Sequence, residues 1–312
     1  MTPRVLLLAG PTGAGKTEVL NRLFAGRGEV ISADSRQVYR FLNIGAAKPS
    51  PALLSRLPHH LLDLLDPGEP WTAGDFVRRT EALIPEILAR GRIPVVSGGT
   101  AFYLRSFLYG LPQAPPADPD VRQALRRRLE TQGLEALYGE LAERDPVSAA
   151  RIAPRDAYRI LRALEVWETA GVPLSSFPPP DTLRRDFRFL LLGLARPREE
   201  LYQRINRRTE GMFREGLYRE FLGLLSRGYG PRDPGLKSIG YKEFFELQSN
   251  GCRTLGGVRE EICRNTRRYA KSQLIFLKAL KPGWRWFHPE KELGELESLV
   301  ENFISSGDNS AL

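Results

Sequence analysis

The octapeptide Gly10-Pro-Thr-Gly-Ala-Gly-Lys-Thr17 stands directly behind the apolar run Val5-Leu-Leu-Leu-Ala9. That order matches the G-x-x-x-x-G-K-[ST] pattern of a strand, a phosphate-binding loop and a helix. Glycines let successive backbone N–H groups face one anion, and the emerging helix N-terminus adds partial positive charge. Gly10, Pro11, Thr12, Gly13, Ala14 and Gly15 would form the cradle, Lys16 would reach the outer phosphate, and Thr17 is placed to ligate Mg²⁺. The motif specifies a diphosphate group; taken alone it favours ATP without requiring a nucleotide.

The surrounding pattern predicts a parallel α/β sheet. Glu29-Val-Ile-Ser-Ala33 is a β-rich run ending at Asp34, and Arg92-Ile-Pro-Val-Val96 is another ending at Ser97-Gly-Gly-Thr100. Ligands bind such sheets at the carboxyl ends of the strands, so Gly10–Thr17, Asp34–Gln37 and Gly98–Thr100 are expected to converge, with the Asp34 strand beside the phosphate-loop strand. Thr72-Ala-Gly-Asp75 reads as a capping box opening a helix with apolar positions Phe76, Leu83, Ile84, Ile87 and Leu88, and Gly91 ends it. Phe187–Gly193 is a further β-like run that rejoins the sheet, followed by helical patterns at Glu199–Glu215, Tyr218–Arg227 and Val258–Leu280.

Between these halves the character changes. From Leu111 to Arg185 the chain is bounded by proline-rich stretches and carries helix-like patterns without a convincing strand. The expected organisation is therefore a P-loop NTPase-like core, residues 1–110 and 186–312, interrupted by a small all-helical insertion, residues 111–185. Within the insertion, Ile160, Leu164 and Trp167 mark an apolar helix face opposite Arg155, Arg159 and Arg162.

At 312 residues and 42% hydrophobic content the chain can bury a sizeable core. It has neither a long apolar segment nor a signal-peptide pattern, which suggests a cytoplasmic protein with no membrane partner. Cys252 and Cys263 lack metal-ligand spacing. The net charge of +9 is unevenly spread: Lys237 to Arg285 holds eleven Lys/Arg against four Glu, a net of +7. Such a stretch is either a polyanion-binding surface, pointing to nucleic acid, or a solvated helix face.

A nucleoside or small-molecule kinase is one reading of the loop. An acidic Walker-B residue is missing, however, because Val95-Val96 runs into Ser97-Gly-Gly-Thr100. The acid appears instead at Asp34, where a carboxylate could accept a proton from a substrate near the phosphates, or could cap the following turn.

The chain resembles the tRNA dimethylallyltransferase family, also called tRNA isopentenyltransferases. The resemblance rests on Gly10–Thr17, Ser32-Ala-Asp-Ser-Arg-Gln-Val-Tyr39, Asn43-Ile-Gly-Ala-Ala-Lys-Pro49, Pro58-His-His-Leu-Leu-Asp63, Asp75-Phe76, Gly91-Arg-Ile-Pro94 and Gly98-Gly-Thr100. Further matches are Ala117-Asp-Pro-Asp-Val-Arg122, Asp145-Pro146, Arg159–Glu165, Arg204–Arg208 and Ile239–Lys242. It implies transfer of a dimethylallyl group from dimethylallyl diphosphate to N6 of the adenosine 3′ of the anticodon, with the loop holding the prenyl donor. It also implies that Lys16, Thr17 and Arg208 contact diphosphate, that Mg²⁺ sits on Thr17, and that Asp34 takes the N6 proton with Thr100 beside the reacting centre. Ser35, Arg36 and Gln37 would contact the extruded base. Arg122, the run Tyr158, Arg159, Ile160, Leu161, Arg162 and the run Lys237, Ser238, Ile239, Gly240, Tyr241, Lys242 would lie on the anticodon stem-loop. A monomer of the short bacterial form is expected.

Two departures from the family pattern stand out. Gly45-Ala46 replaces the commoner Gly-Thr, removing a hydroxyl, and Lys237 and Lys242 stand where arginines are frequent, giving point charges in place of bidentate forks. His59-His60 reads as a structural loop, and Trp71, Trp167, Trp284 and Trp286 as packing residues.

Overall fold

The computed structural model describes residues 2–250, 254–281 and 283–305, with the backbone alone at 247–250; Cys252 and the polar tail from residue 306 lie outside them. The chain divides into two compact units, Met1–Leu108 with Leu183–Leu312, and Tyr109–Thr182.

The larger unit opens with β1 (Arg4–Ala9), α1 (Lys16–Phe24), β2 (Gly28–Ser32), α2 (Pro51–Leu54), β3 (His59–His60), α3 (Ala73–Ala89), β4 (Ile93–Gly98) and α4 (Ala101–Tyr109). The smaller unit holds α5 (Pro119–Arg144), α6 (Pro146–Ala149) and α7 (Ala157–Ala170). The chain then adds β5 (Arg188–Leu194), α8 (Arg198–Glu215), α9 (Leu217–Ser226), α10 (Lys242–Asn250), α11 (Leu255–Ala279), β6 (Arg285–Phe287) and α12 (Leu293–Ser305).

The six strands form one sheet in the order β3-β2-β4-β1-β5-β6, every pairing parallel. Its centre is apolar on both faces, as a parallel sheet covered by helices requires. Leu6, Leu8, Val30, Val95, Leu192 and Leu194 pack with Val19, Leu20, Leu23 and Phe24 of α1 and Leu296 and Val300 of α12. Phe107 of α4 meets Phe189 of β5 edge-on at 5.7 Å, and Phe76 of α3 stacks on Tyr103 of α4 at 5.0 Å. A second core joins Val38, Tyr39 and Leu42 to Phe221 of α9, Tyr241, Phe244 of α10, and Val258 and Ile262 of α11.

Local chemistry sets the boundaries. Thr72 and Asp75 form the reciprocal capping box at the start of α3, and Gly91 follows its end at φ +67°. The buried stripe of α3 is Phe76, Thr80, Ile84 and Ile87; Leu88, expected on it, turns outward and is 38% exposed. β4, not β2, pairs with β1, so the strand before Asp34 lies one place further out than expected. The β2 end still reaches the same edge, because it is tied directly to the end of β4: Ala33 donates its N–H to Ser97 O at 2.8 Å, and Thr100 donates to Ala33 O at 3.1 Å. His59-His60 forms a short edge strand where a loop was expected, with His60 Nε2 2.7 Å from Glu29 and His59 Nδ1 2.7 Å from Leu57 O.

In the smaller unit, Asp118 caps α5 with Pro119 at its first position, and Gly133 at φ +81° kinks it. Leu125, Leu137, Leu141, Ile152, Ile160 and Leu164 form its core.

The close approach at Gly98 carries a stability prediction. A Cβ there would lie 2.1 Å from Ala33 O, which is backbone and cannot turn away. Gly98→Ala should lower unfolding free energy by about 2–3 kcal/mol or more, measured by urea denaturation. Gly223→Ala, inside α9 with open space around it, should raise it by about 0.5–1 kcal/mol.

Candidate active site

Segments following β1, β2 and β4 meet at one cavity, whose walls include Lys16, Thr17, Ser32, Asp34, Gln37, His59, Ser97 and Gly98. Gly13 and Gly15 of the phosphate loop sit at φ +82° and +105°, conformations that exclude most side chains. The turn leaves carbonyl oxygens that neither strand nor helix pairs. Those carbonyls are held: Arg196 Nε donates to Ala14 O at 3.0 Å and Arg204 Nε to Gly13 O at 3.0 Å. Lys16 Nζ donates to Gly10 O at 2.9 Å and Pro11 O at 3.0 Å. Arg208, one turn beyond Arg204 on α8, donates to Thr12 Oγ1 at 3.2 Å.

Crowding of cations shapes this corner. Desolvation lowers the Lys16 ammonium to about 8, and Arg208 adds to the lowering against opposition from Asp34 and Glu18. Asp34 both caps the turn after β2 and lines the cavity. Its Oδ1 accepts the N–H groups of Arg36 at 2.8 Å and Gln37 at 3.3 Å. Thr100 Oγ1 accepts Ser35 N–H at 3.1 Å, tying the two turns together.

The side chains after Asp34 have internal partners. Arg36 Nη1 donates to Pro234 O at 2.8 Å. Gln37 spans Ser32 Oγ at 2.9 Å and the carbonyls of Ala46 and Ala47 at 3.3 and 3.2 Å. The Asn43–Pro49 loop is gripped by Glu220 of α9, whose carboxylate accepts the N–H groups of Asn43, Ile44 and Gly45 and the hydroxyl of Tyr241. A Cβ on Gly45 would fall 2.5 Å from the Tyr241 ring, so glycine is needed there.

Tyr241 therefore belongs to the core: it has no exposed surface, and burial pushes its phenol well up. Its side chain is not available to RNA. Ser238 and Gly240 are buried beside it, Ile239 is partly buried, and Lys237 and Lys242 are exposed. In the smaller unit Ile160 is likewise fully buried, whereas Tyr158 is 72% exposed, Arg159 is exposed and Leu161 is intermediate. Arg122 and Arg162 converge on the buried Glu165 at 2.8 and 3.0 Å, and Glu165 also accepts Asp118 N–H at 3.0 Å. These two arginines hold their own unit together, which separates them from Arg159.

Sequence reasoning missed Arg196, Glu220 and Gln273. Gln273 of α11 accepts Thr12 N–H at 3.0 Å and donates to Gly99 O at 2.6 Å. A signal for it exists: an amide in the otherwise apolar buried stripe Val258, Ile262, Ala270 and Leu277. Glu220 has no such signal. The four tryptophans all pack, Trp286 closing over Gly193 and Trp167 lying under Arg144 at 5.4 Å.

A sequence profile described as IPP transferase matches residues 37–280. A tRNA dimethylallyltransferase of Geobacter sulfurreducens is 40% identical over 96% of this chain and 97% of its own length. A tRNA dimethylallyltransferase 1 of Trichlorobacter lovleyi is 42% identical over 98% of this chain and 100% of its own. The chain belongs to the tRNA dimethylallyltransferase family. Among solved structures, the full-length tRNA isopentenylpyrophosphate transferase of Bacillus halodurans superposes with a TM-score of 0.68 at 34% identity, covering 97% of each chain. A eukaryotic dimethylallyltransferase seen in crystallographic snapshots acting on tRNA superposes with a TM-score of 0.80 at 26% identity, covering 97% of this chain and 80% of its own. These likenesses accord with the P-loop-like parallel sheet described above.

Two predictions follow from these environments. The Lys16 pKa is lowered, so its charge opposes folding below about pH 8, and that cost fades as pH rises toward 10.5. An amine-acylating reagent should modify Lys16 with a midpoint near pH 8, read by peptide mass spectrometry. In the smaller unit, Glu165→Ala should cost about 2–4 kcal/mol by leaving Arg122 and Arg162 unpaired. Arg159→Ala should stay within about 0.5 kcal/mol, both followed by urea denaturation.

Proposed function

We propose that this chain transfers the dimethylallyl group of dimethylallyl diphosphate to N6 of the adenosine 3′ of the anticodon in tRNA, releasing diphosphate. The observation that carries the reading is a single cavity lined both by Lys16 and Thr17, where the phosphate loop enters α1, and by Asp34. A phosphoryl-transfer site needs an acid that helps hold a metal; an alkyl-transfer site needs an acid that faces the nucleophile. Full-length likeness to tRNA dimethylallyltransferases supports the second.

In this chemistry the N6 lone pair forms a bond to C1 of the prenyl group as the C1–oxygen bond to diphosphate breaks. The exocyclic amine is a weak nucleophile, so a carboxylate accepting its proton lowers the barrier. Asp34 is suited to that role because the Arg36 and Gln37 N–H groups fix its orientation. Thr100, anchored to Ser35, would sit beside the reacting amine. Charge growing on the leaving diphosphate would be met by loop N–H groups, Lys16 and Arg208, all held before reaction begins.

Mg²⁺ fits this site through the donors present. Thr17 supplies a hard hydroxyl oxygen at the first turn of α1, and no cluster of three His, Cys, Asp or Glu exists among the described residues. That set suits an ion completed by diphosphate oxygens and water. When bound, Mg²⁺ would offset negative charge on the diphosphate.

The tRNA grip is proposed to use exposed cations, Lys237 and Lys242 on the larger unit and Arg159 with Tyr158 on the smaller. Arg122 and Arg162 would reach phosphates only through their edges not engaged by Glu165. The target base must leave its stack to reach a recessed carboxylate. A monomer acting in the cytoplasm is the expected form. No helix among the described residues is long and apolar enough to cross a membrane.

The test is incubation with unmodified tRNA, Mg²⁺ and labelled dimethylallyl diphosphate, followed by nucleoside analysis. Lys16→Ala should abolish turnover, and Asp34→Asn should cut single-turnover chemistry by about two to four powers of ten with little change in tRNA binding. Phosphoryl transfer from ATP without prenyl transfer would establish the kinase alternative instead.

A further inference from the structure

Gln273 lies on the long basic helix α11, yet its side chain is 95% buried and makes no approach to solvent. It touches two backbone groups, one in each of the segments that follow the paired strands β1 and β4. Its Oε1 accepts Thr12 N–H in the phosphate loop, and its Nε2 donates to Gly99 O in the turn that leads to Thr100. Gly99 itself accommodates the contact, since a Cβ there would lie 2.4 Å from Nε2. A primary amide offers an acceptor and a donor at this spacing without charge at any ordinary pH.

We propose that Gln273 is a positioning residue that holds the phosphate loop and the Gly98–Thr100 turn at one fixed separation. This rests on the reading given under Proposed function. The prenyl donor would be carried by one of those segments. The groups around the accepting amine, Thr100 and through it the Ser35–Asp34 turn, belong to the other. Alkyl transfer needs the attacking nitrogen and C1 within near-contact distance, so an error of about 1 Å between the two walls is costly in rate. Pairing of β1 with β4 brings the two segments side by side as far as Ala9 and Gly98, and beyond the strand ends the Gln273 amide bridges them with a single side chain. Tyr269, one helical turn earlier and 42% exposed, lies beside both Thr100 and Gln273. Helix α11 thereby braces the site from outside the sheet while its Arg264, Arg267, Arg268 and Lys271 remain on other faces.

Gln273→Leu removes both hydrogen bonds at similar volume, and Gln273→Glu supplies a stricter test. An ionised Glu can accept from Thr12 but sets an anion against Gly99 O; a protonated Glu reproduces the donor and acceptor of the amide. The charged and titratable groups facing this position are Tyr269 on α11, Asp34 and Arg36 beyond Thr100, and Arg208 on Thr12. Three readouts are needed: Kd for inorganic diphosphate with Mg²⁺ by calorimetry, kcat and KM for prenyl transfer to an anticodon stem-loop, and hydrogen exchange of the Thr12 amide.

For Gln273→Leu, kcat should fall about ten- to a hundredfold and diphosphate affinity severalfold, while KM for RNA moves less than about twofold and Thr12 exchange quickens. For Gln273→Glu, kcat relative to the parent chain should recover as pH falls from 8 to 6. The proposal is overturned if Gln273→Leu keeps the parental kcat and diphosphate affinity. It is equally overturned if losses in either variant merely track the melting temperature with no pH-dependent recovery. A parent chain that transfers no prenyl group would sink the functional reading, whereas Thr12 exchange and diphosphate affinity would still judge the brace.

Discussion

Side chains from distant parts of the chain hold the carbonyl oxygens of the Gly10–Thr17 turn, and the structure behind the candidate site depends on that support. Buried carbonyls without partners are costly. Arg196 and Arg204 meet the carbonyls of Ala14 and Gly13 from behind. Arg196 is itself buried and balanced by Glu200 and Glu290, so the support for the loop reaches into the segment after β6. The segment after β5 and helix α8, though far along the chain, therefore support the Gly10–Thr17 loop.

The same logic of fixed backbone groups recurs at the other wall. Asp34, Gln37 and Glu220 each use side-chain oxygens or nitrogens to hold turns that regular structure leaves unpaired. Positive φ at Phe41, Ala47, Leu61 and Asp63 marks this region as backbone held in conformations that ordinary side chains disfavour. The compensation comes from a helical core in which Phe221, Tyr241 and Phe244 pack beneath the loop. A cavity built from turns becomes rigid only when such packing and hydrogen bonding surround it, and rigidity is what electrostatic preorganisation requires.

Much of this was legible along the chain because short-range physics writes it there. The central strands carry apolar runs bounded by polar residues, the α3 start carries a capping box, and the phosphate loop carries glycines at positive φ. Strand order was less legible. Nothing in Glu29–Ala33 says that β4 will intervene between it and β1, because order depends on which crossovers pack, not on the strands themselves. The three-residue β6 and the α12 helix were not anticipated: a strand that short has no periodicity to read, and its place comes from pairing with Leu192–Leu194.

The sequence by itself determined the chemistry on offer: a loop built for phosphate, an acid after the second strand, no acid after the strand that ends at Gly98, and positive charge concentrated toward the C-terminal end. Tertiary structure decided which of those side chains are free to act. Tyr241 and Ile160 look like surface candidates within their motifs, yet both are fully buried, and Arg122 and Arg162 are engaged by one buried carboxylate. It also decided that Gln273, separated by 261 residues from Thr12, closes the gap between the two walls. Motifs record which groups lie near one another along the chain; burial and long-range hydrogen bonding are properties of the packed whole, and no local pattern contains them.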